Sequence, residues 1–547
     1  MKKSFNYYYL VFVCIAFIIL ILGLGSYGFA ETSEARYAEI SREMFLSGDY
    51  LNPQLLGIFH FHKPPITYYI TTFGYHIFGI NEFGARFFLQ VAVAIQLVCV
   101  YGIANLLFKN KKIAFFAGLI YFSMPIILIA SRNLTTDLYL TTFIMGSIYC
   151  WQYYTNKGKL LFLYLSYILI GLALLTKGPV ALLFILVYII TYKIIFKSSS
   201  RITIHHVLGI LVCLGIGVSW YIIVILENPS LWDYFIGKQL VSRISSNSFD
   251  RAKPFWFYIP IIIGLLFPWW LTTVVKFRSK IKSISKLQKE AKLLFISSGI
   301  LFIIFSVFST KLILYIMPAF WMVAVFIAVQ LDTFSQKDKK IVTISYLVLS
   351  TLFFLTLLVF WIEKPDFIDV TTLAISAIFV LTISSYVVYY FIKNNELYKP
   401  VFMAVLFSIV ILHGSTIVMK SNSQLINSTR DMVHFINNHT KEPKTILVYN
   451  YLLTSIPLYS NANEITINSG HNTTEREVQF QHDELWKEHL WNVKEDLTVS
   501  KIKELSHHKN TYLLVRKKHD LHEDLSNVKD DFNSIKEYGK WKIYYNE

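Results

Sequence analysis

Long apolar runs alternate with short polar connectors over most of this chain. Thirteen runs reach spanning length, near 8–30, 86–108, 113–130, 134–154, 160–176, 178–196, 205–226, 254–275, 293–309, 312–331, 341–362, 369–392 and 400–419. A helix needs roughly 17–25 apolar residues to cross a bilayer, so each run predicts a transmembrane helix. The fifth and sixth are joined only by Thr176-Lys177-Gly178-Pro179, where Gly and Pro end one helix and begin the next. Past residue 419 the pattern changes. Apolar stretches shorten to strand length, as in Thr445-Ile446-Leu447-Val448-Tyr449 and Tyr512-Leu513-Leu514-Val515, with a charged helical pattern at Ser500-Lys501-Ile502-Lys503-Glu504-Leu505. The expected architecture is mainly α: a polytopic membrane domain of about thirteen helices over 1–419, then a small soluble α/β domain over 420–547.

One connector is far longer and more polar than its neighbours. Residues 31–86 carry Glu31, Glu34, Arg36, Glu39, Arg42 and Glu43, then His60-Phe61-His62-Lys63-Pro64-Pro65. Charges this dense are costly in lipid, so the stretch belongs at an aqueous face or in a protein-lined cavity. Tyr37, Ile40 and Met44 have helical spacing, with Thr32 or Ser33 available to cap, and predict an amphipathic helix lying along the membrane surface. A second amphipathic segment is expected over 66–78, and Gly48-Asp49-Tyr50 and Asn52-Pro53 mark turns between them.

Composition agrees with the patterning. Of 547 residues, 54% are hydrophobic and only 16% charged, too apolar for a soluble protein. The net charge of +16 does not point to nucleic acid, because Lys and Arg concentrate in short connectors where they set topology. The four cysteines lie inside apolar runs and read as small core residues. Lys2 and Lys3 precede a run longer than the apolar core of a cleaved signal peptide, so the first span is expected to be retained as an anchor.

With the N-terminus in the cytoplasm, alternate connectors are all basic: Lys109, Lys111 and Lys112; Lys157 and Lys159; Lys197 and Arg201; 276–292; Lys337, Lys339 and Lys340; Lys393 and Lys399. The same assignment places Glu34, Arg36, Lys63, Asp137, Lys177, Arg243 and Lys311 together on the outer face. Interfacial anchoring accounts for any one of them, since long cationic side chains snorkel. It accounts less well for the whole set on one side. The tail histidines, including His507, His508, His519 and His522, lack cysteine partners and read as solvated.

Several motifs then acquire a joint meaning. Ser33-Glu34-Ala35-Arg36-Tyr37-Ala38-Glu39-Ile40-Ser41-Arg42-Glu43-Met44, Ser47-Gly48-Asp49-Tyr50, Phe61-His62-Lys63-Pro64-Pro65 and Phe78-Gly79-Ile80-Asn81-Glu82-Phe83-Gly84-Ala85-Arg86 resemble the first periplasmic loop of the lipid A aminoarabinose transferases and their bacterial relatives. These belong to the GT-C class of membrane glycosyltransferases, which includes the protein O-mannosyltransferases. Leu134-Thr135-Thr136-Asp137, Leu175-Thr176-Lys177-Gly178-Pro179, Trp220-Tyr221, Phe255-Trp256-Phe257-Tyr258 and Ser309-Thr310-Lys311-Leu312 through Tyr315 and Pro318 continue the resemblance to about residue 330.

The resemblance implies transfer of a sugar from a polyprenyl-phosphate carrier to a lipid or protein acceptor at the outer face of the inner membrane. Lys63, Arg243 and Lys311 are candidates to meet the charge that grows on the leaving lipid phosphate. Tyr315, four residues after Lys311, can donate a hydrogen bond to the same phosphate, and Arg36 can hold a carboxylate in place. Arg251 rivals Arg243, because the Glu-His pair that many relatives carry ahead of this arginine is missing here. For the acidic role Glu34, Glu31 and Asp137 remain open. Relatives commonly have Asp-Glu where this chain has Ser33-Glu34, and a phosphate acceptor, already ionised, would need no base. His62 stands where relatives often have an acid, with His60 nearby, and the two offer weak ligands for a divalent metal. Asp137, Arg243, Lys311 and Tyr315 are expected to join the first loop in one site. A flippase for lipid-linked saccharides is the alternative, but it would place ionisable groups mid-span, where this sequence has almost none.

Overall fold

The structure is a computed structural model describing residues 2–198, 202–241, 253–271, 287–392, 398–471, 474, 476–481 and 484–547. It divides into two compact units, 1–24 with 87–418, and 25–86 with 419–547.

The first unit is helical. Among its elements are α1 (Lys2–Ile21), α4 (Glu82–Phe108, from Phe87 onward), α5 (Lys111–Phe122), α6 (Pro125–Ser131), α7 (Thr136–Lys157), α8 (Leu160–Lys177) and α9 (Val180–Phe196). Among the described residues, seven helices are long and apolar enough to cross a membrane, or nine if each bent pair counts as one span. The pairs are α5 with α6, bent by 59° just before Pro125, and Ile204–Gly217 with Ser219–Glu227, bent by 43°. Helices also occupy other expected runs, but Asn6–Ile21, Val180–Phe196 and Phe255–Leu265 are short. Inside the bundle the few polar groups satisfy one another. Gln96 donates through Nε2 to Leu138 O at 2.9 Å and to Thr142 Oγ1 at 2.8 Å, and its Oε1 accepts from the Tyr121 hydroxyl at 2.7 Å, which ties α4, α5 and α7 together. A buried amide costs free energy only when left unpaired, so this network sets register without penalty.

The second unit joins the long connector to the tail. A six-stranded sheet is built from β3 (Thr445–Tyr449), β4 (Asn463–Asn468), β5 (Leu490–Asn492), β6 (Thr511–Arg516), β7 (Ser534–Tyr538) and β8 (Trp541–Tyr545), in the order β5-β4-β3-β6-β8-β7. The first four strands are parallel, and β8 pairs antiparallel with β6 and β7. Alternation along β3 divides the core between the two faces. Ile446 and Val448 pack with Val433 and Ile436 of Arg430–His439, while Leu447 and Tyr449 pack with Ile502 of Thr498–Ser506.

The connector forms α2 (Ser33–Ser47) and α3 (Ile66–Phe78), with a hairpin of β1 (Gln54–Leu55) and β2 (Ile58–Phe59) between them. Leu56 and Gly57, both at positive φ, make its two-residue turn. A Cβ on Gly57 would fall 2.6 Å from the His489 ring, so the position needs glycine for space as well as for conformation. Both amphipathic helices form where expected, but α2 does not turn its apolar face to lipid. Ile40 and Met44 are buried with Leu55, Leu56, Tyr68 and Leu452. The moment that predicts a surface helix equally suits a helix packed against protein, and here the tail supplies the protein.

Candidate active site

In the bundle, Asp137 occupies the first turn of α7 and Lys177 the last turn of α8. The antiparallel helices bring these ends together, and the Lys177 ammonium donates to the Asp137 carboxylate. The same ammonium lies 4.1 Å from the centroid of the Tyr315 ring. Asp137 is only 6% exposed, and a carboxylate this deep requires the cation it has. Tyr258 lies within electrostatic reach of Tyr315 and Asp137, and its hydroxyl donates to Leu312 O at 3.0 Å. Lys311 is 2% exposed and donates to the carbonyl of Lys253 at 2.7 Å. Carboxylate, ammonium and phenol thus gather at one end of the bundle around Lys177, a residue that sequence reasoning placed on the outer face without giving it a role. Its signal is a cation ending an apolar helix just before Gly178-Pro179, a pattern shared with ordinary snorkelling lysines.

In the second unit, Glu34 and Arg86 form a bidentate pair, with Nε to Oε1 and Nη2 to Oε2 both 2.8 Å. Arg86 also donates to Tyr27 O and Gly28 O, each at 2.9 Å, and stacks 4.0 Å from the Tyr27 ring centroid. Glu34 Oε2 accepts the Ala30 amide at 2.9 Å. Both Glu34 oxygens are thus taken up by the guanidinium, a two-pronged, charge-assisted contact at the start of α2. The partner of Glu34, distant in sequence, is the last residue of the Phe83-Gly84-Ala85-Arg86 motif.

Glu31 reaches the tail. It accepts from the Ser455 amide and hydroxyl, both at 2.7 Å, and from Thr454 Oγ1 at 3.2 Å. Burial pushes its pKa up to about 7, against the hydrogen bonds from Ser455 and Thr454 and the field of Arg36. Glu464, 5% exposed on β4, has both oxygens buried without hydrogen-bond partners, and its pKa is driven well up by burial and by the facing carboxylates of Glu39, Glu31 and Glu43. The native state therefore holds protons on these groups more tightly than the unfolded chain does. The stability this confers is complete below the ordinary Glu31 value of 4.5 and is lost as pH rises through about 7. The melting temperature of the full chain in detergent is expected to fall between pH 5 and pH 8. Glu31→Gln should flatten the curve, and an unchanged slope in that variant would remove Glu31 from the account.

His60 and His62 pack edge to face with ring centroids 4.3 Å apart, and His62 lies against Phe480 at 5.3 Å. Among the described residues no group of three or more His, Cys, Asp or Glu side chains could hold a metal ion. Arg36 and Lys63 are half-buried in the second unit, with the Arg36 Nε buried and lacking a hydrogen-bond partner. Arg243 and Arg251 lie outside the described residues.

Residues 62–223 match the family described as dolichyl-phosphate-mannose-protein mannosyltransferase, a stretch from His62 in the second half of the long connector to Ile223 in Ser219–Glu227. Over 294 residues the chain is 31% identical to the undecaprenyl phosphate-alpha-4-amino-4-deoxy-L-arabinose arabinosyl transferase 2 of Proteus mirabilis, covering 53% of each chain. Over 360 residues it is 26% identical to the corresponding transferase 1 of Pseudomonas fluorescens, covering 64% of this chain and 65% of that one. The matched stretch thus spans about half to two thirds of these relatives. In structure the likeness extends further. The crystal structure of ArnT from Cupriavidus metallidurans bound to undecaprenyl phosphate superposes with a TM-score of 0.76 at 19% identity, covering 99% of this chain and 98% of that one. The chain has the fold of ArnT. The sequence relatives bear out the resemblance carried by the motifs, and the shared fold extends to the tail, where the sequence indicated only a similar architecture.

Proposed function

We propose that this protein is a GT-C glycosyltransferase that moves a sugar from a polyprenyl-phosphate carrier to lipid A or a related glycolipid. The cluster of buried Asp137 with half-buried Lys177 and Tyr315 carries the reading, because it puts a paired carboxylate and fixed cationic and phenolic groups at one end of a largely apolar bundle. The names of the relatives supply the rest: an undecaprenyl-phosphate donor and, for the sugar, a pentose of the aminoarabinose kind. Thirteen crossings, an outer-face site and a soluble outer domain over 420–547 belong to the same proposal, supported by the basic inner connectors.

In this proposal Asp137 balances charge near the reacting carbon, with Lys177 holding it and Tyr315 in place. Lys63, Lys311 and the Arg243 region oppose the charge that develops on the departing lipid phosphate, and Arg36 steadies a carboxylate. Glu34 holds the first loop through Arg86. A lipid A phosphate oxygen is already ionised, so no residue need remove its proton.

Mass spectra of lipid A and of envelope glycoproteins from cells with and without the gene test the reading. Lipid A is expected to lose one amino-pentose mass on deletion. Lys63→Ala and Lys311→Ala should abolish the addition while membrane levels stay unchanged. Unaltered lipid A with a glycoprotein sugar lost would move the acceptor to protein. No change in either pool, with lipid-linked sugar still crossing the membrane, would count against the transferase reading, whereas loss of that crossing on deletion would favour a flippase.

A further inference from the structure

A second polar region of the bundle lies at the opposite end of α7 from Asp137. The intervening helix separates the two by about 30 Å, given 1.5 Å per residue. There the C-terminal ends of α4, α7 and α9 and the N-terminal end of α5 surround a cavity of about 980 Å³. Lys109, Lys111, Lys112 and Lys157 line it, with Glu290 the one acidic side chain among the described lining residues. Lys112 is partly engaged, 3.5 Å from Asp332. No acidic group among the described residues lies within ion-pair distance of Lys109 or Lys157.

The rest of the wall is unlike that of a site for a small soluble anion. Leu107 and Tyr192 are buried in it, and Phe108 and Phe196 stand half-buried beside the lysines. The amides of Lys112 and Ile113 at the start of α5 are already capped by the Asn110 side chain, at 3.0 and 3.3 Å, which leaves the lysines as the anion-attracting groups. Cations at the end of a transmembrane bundle, backed by an apolar and aromatic wall, match a phosphate joined to glycerol and acyl chains. Each lysine near an anionic membrane surface contributes about 1 kcal/mol to such attraction.

We propose that this cavity binds the phosphate headgroup of an anionic phospholipid from the leaflet at that end of the bundle. The site is separate from the proposed transfer chemistry. Its occupant would clamp the ends of α4, α5, α7 and α9 together, and through α7 stabilise the helix that carries Asp137.

The purified full chain, delipidated and returned to phosphatidylcholine micelles, provides the test. Cardiolipin should raise the melting temperature of the wild type and stay bound in native mass spectra, while added phosphatidylcholine should do neither. In Lys109→Gln/Lys157→Gln the apparent affinity for cardiolipin should fall about thirtyfold, from two such contributions. Lys501→Gln/Lys503→Gln in the tail should leave it unchanged. Both doublets replace exposed side chains, so folding is preserved, as the melting temperature without added lipid would report. Equal affinity in the wild type and the Lys109/Lys157 variant would overturn the proposal. So would a pyrophosphate-induced shift as large as that from cardiolipin, which would make this a soluble polyanion site.

Discussion

Arg86→Ala is expected to abolish most of the folded protein. The side chain is fully buried and donates hydrogen bonds to both Glu34 oxygens and to the carbonyls of Tyr27 and Gly28. Its loss strands a buried carboxylate and two buried carbonyls, and breaking such a pair costs about 3–5 kcal/mol. Few domains hold more than two or three times that margin. The consequence should appear as aggregation or proteolysis in a fluorescence-detected size-exclusion profile. Arg86→Lys should rescue only weakly, because an ammonium cannot reproduce the two-pronged contact. Arg86→Leu combined with Glu34→Leu should recover part of the loss by removing both charges. A single Arg86→Ala variant as stable as the wild type would show that the pair is not what fixes the start of α2.

The second large effect is expected on activity. Lys177→Ala leaves Asp137 buried without its cation and removes the charge from the face of Tyr315. If the cluster aligns groups around the reacting sugar phosphate, turnover should fall by about 10²–10³-fold, as for the removal of one fixed electrostatic contact elsewhere. Destabilisation alone could produce part of that loss, so the informative variant is Asp137→Asn/Lys177→Met. It removes both charges, and stability should return toward wild type. Activity should not return. A stable double variant that transfers sugar at the wild-type rate would make the pair a purely structural link between α7 and α8.

How much of this was legible in the sequence varies by element. Apolar runs announce their helices because burying a backbone in lipid leaves few alternatives to a helix. Strands β3 and β6 announce themselves as short apolar runs, and both faces of β3 are in fact covered. Asp137 and Tyr315 stand out in the sequence as polar groups near the ends of apolar runs, but their meeting at Lys177 does not. Lys177 was not assigned, since a lysine closing a helix looks the same whether it snorkels or pairs. The partner of Glu34 was not legible, because nothing local to Ser33-Glu34-Ala35-Arg36 shows that Arg86 will close on it. The fate of the apolar face of α2 was equally hidden, since lipid and protein both satisfy it.

The sequence by itself determined that this chain is a polytopic helical protein with a long charged connector, a tail of strand-length apolar runs and the motifs of an aminoarabinose-transferase-like enzyme. Periodicity and hydropathy are local properties, and local properties suffice for those conclusions. Only the tertiary structure decided that the connector and tail form one unit, that Glu34 belongs to Arg86 and Glu31 to Ser455, and that Lys177 gathers Asp137 and Tyr315. Each of the pairings depends on which polar group meets which in a low-dielectric interior. Pairing there is obligatory, but the partner can lie anywhere along the chain.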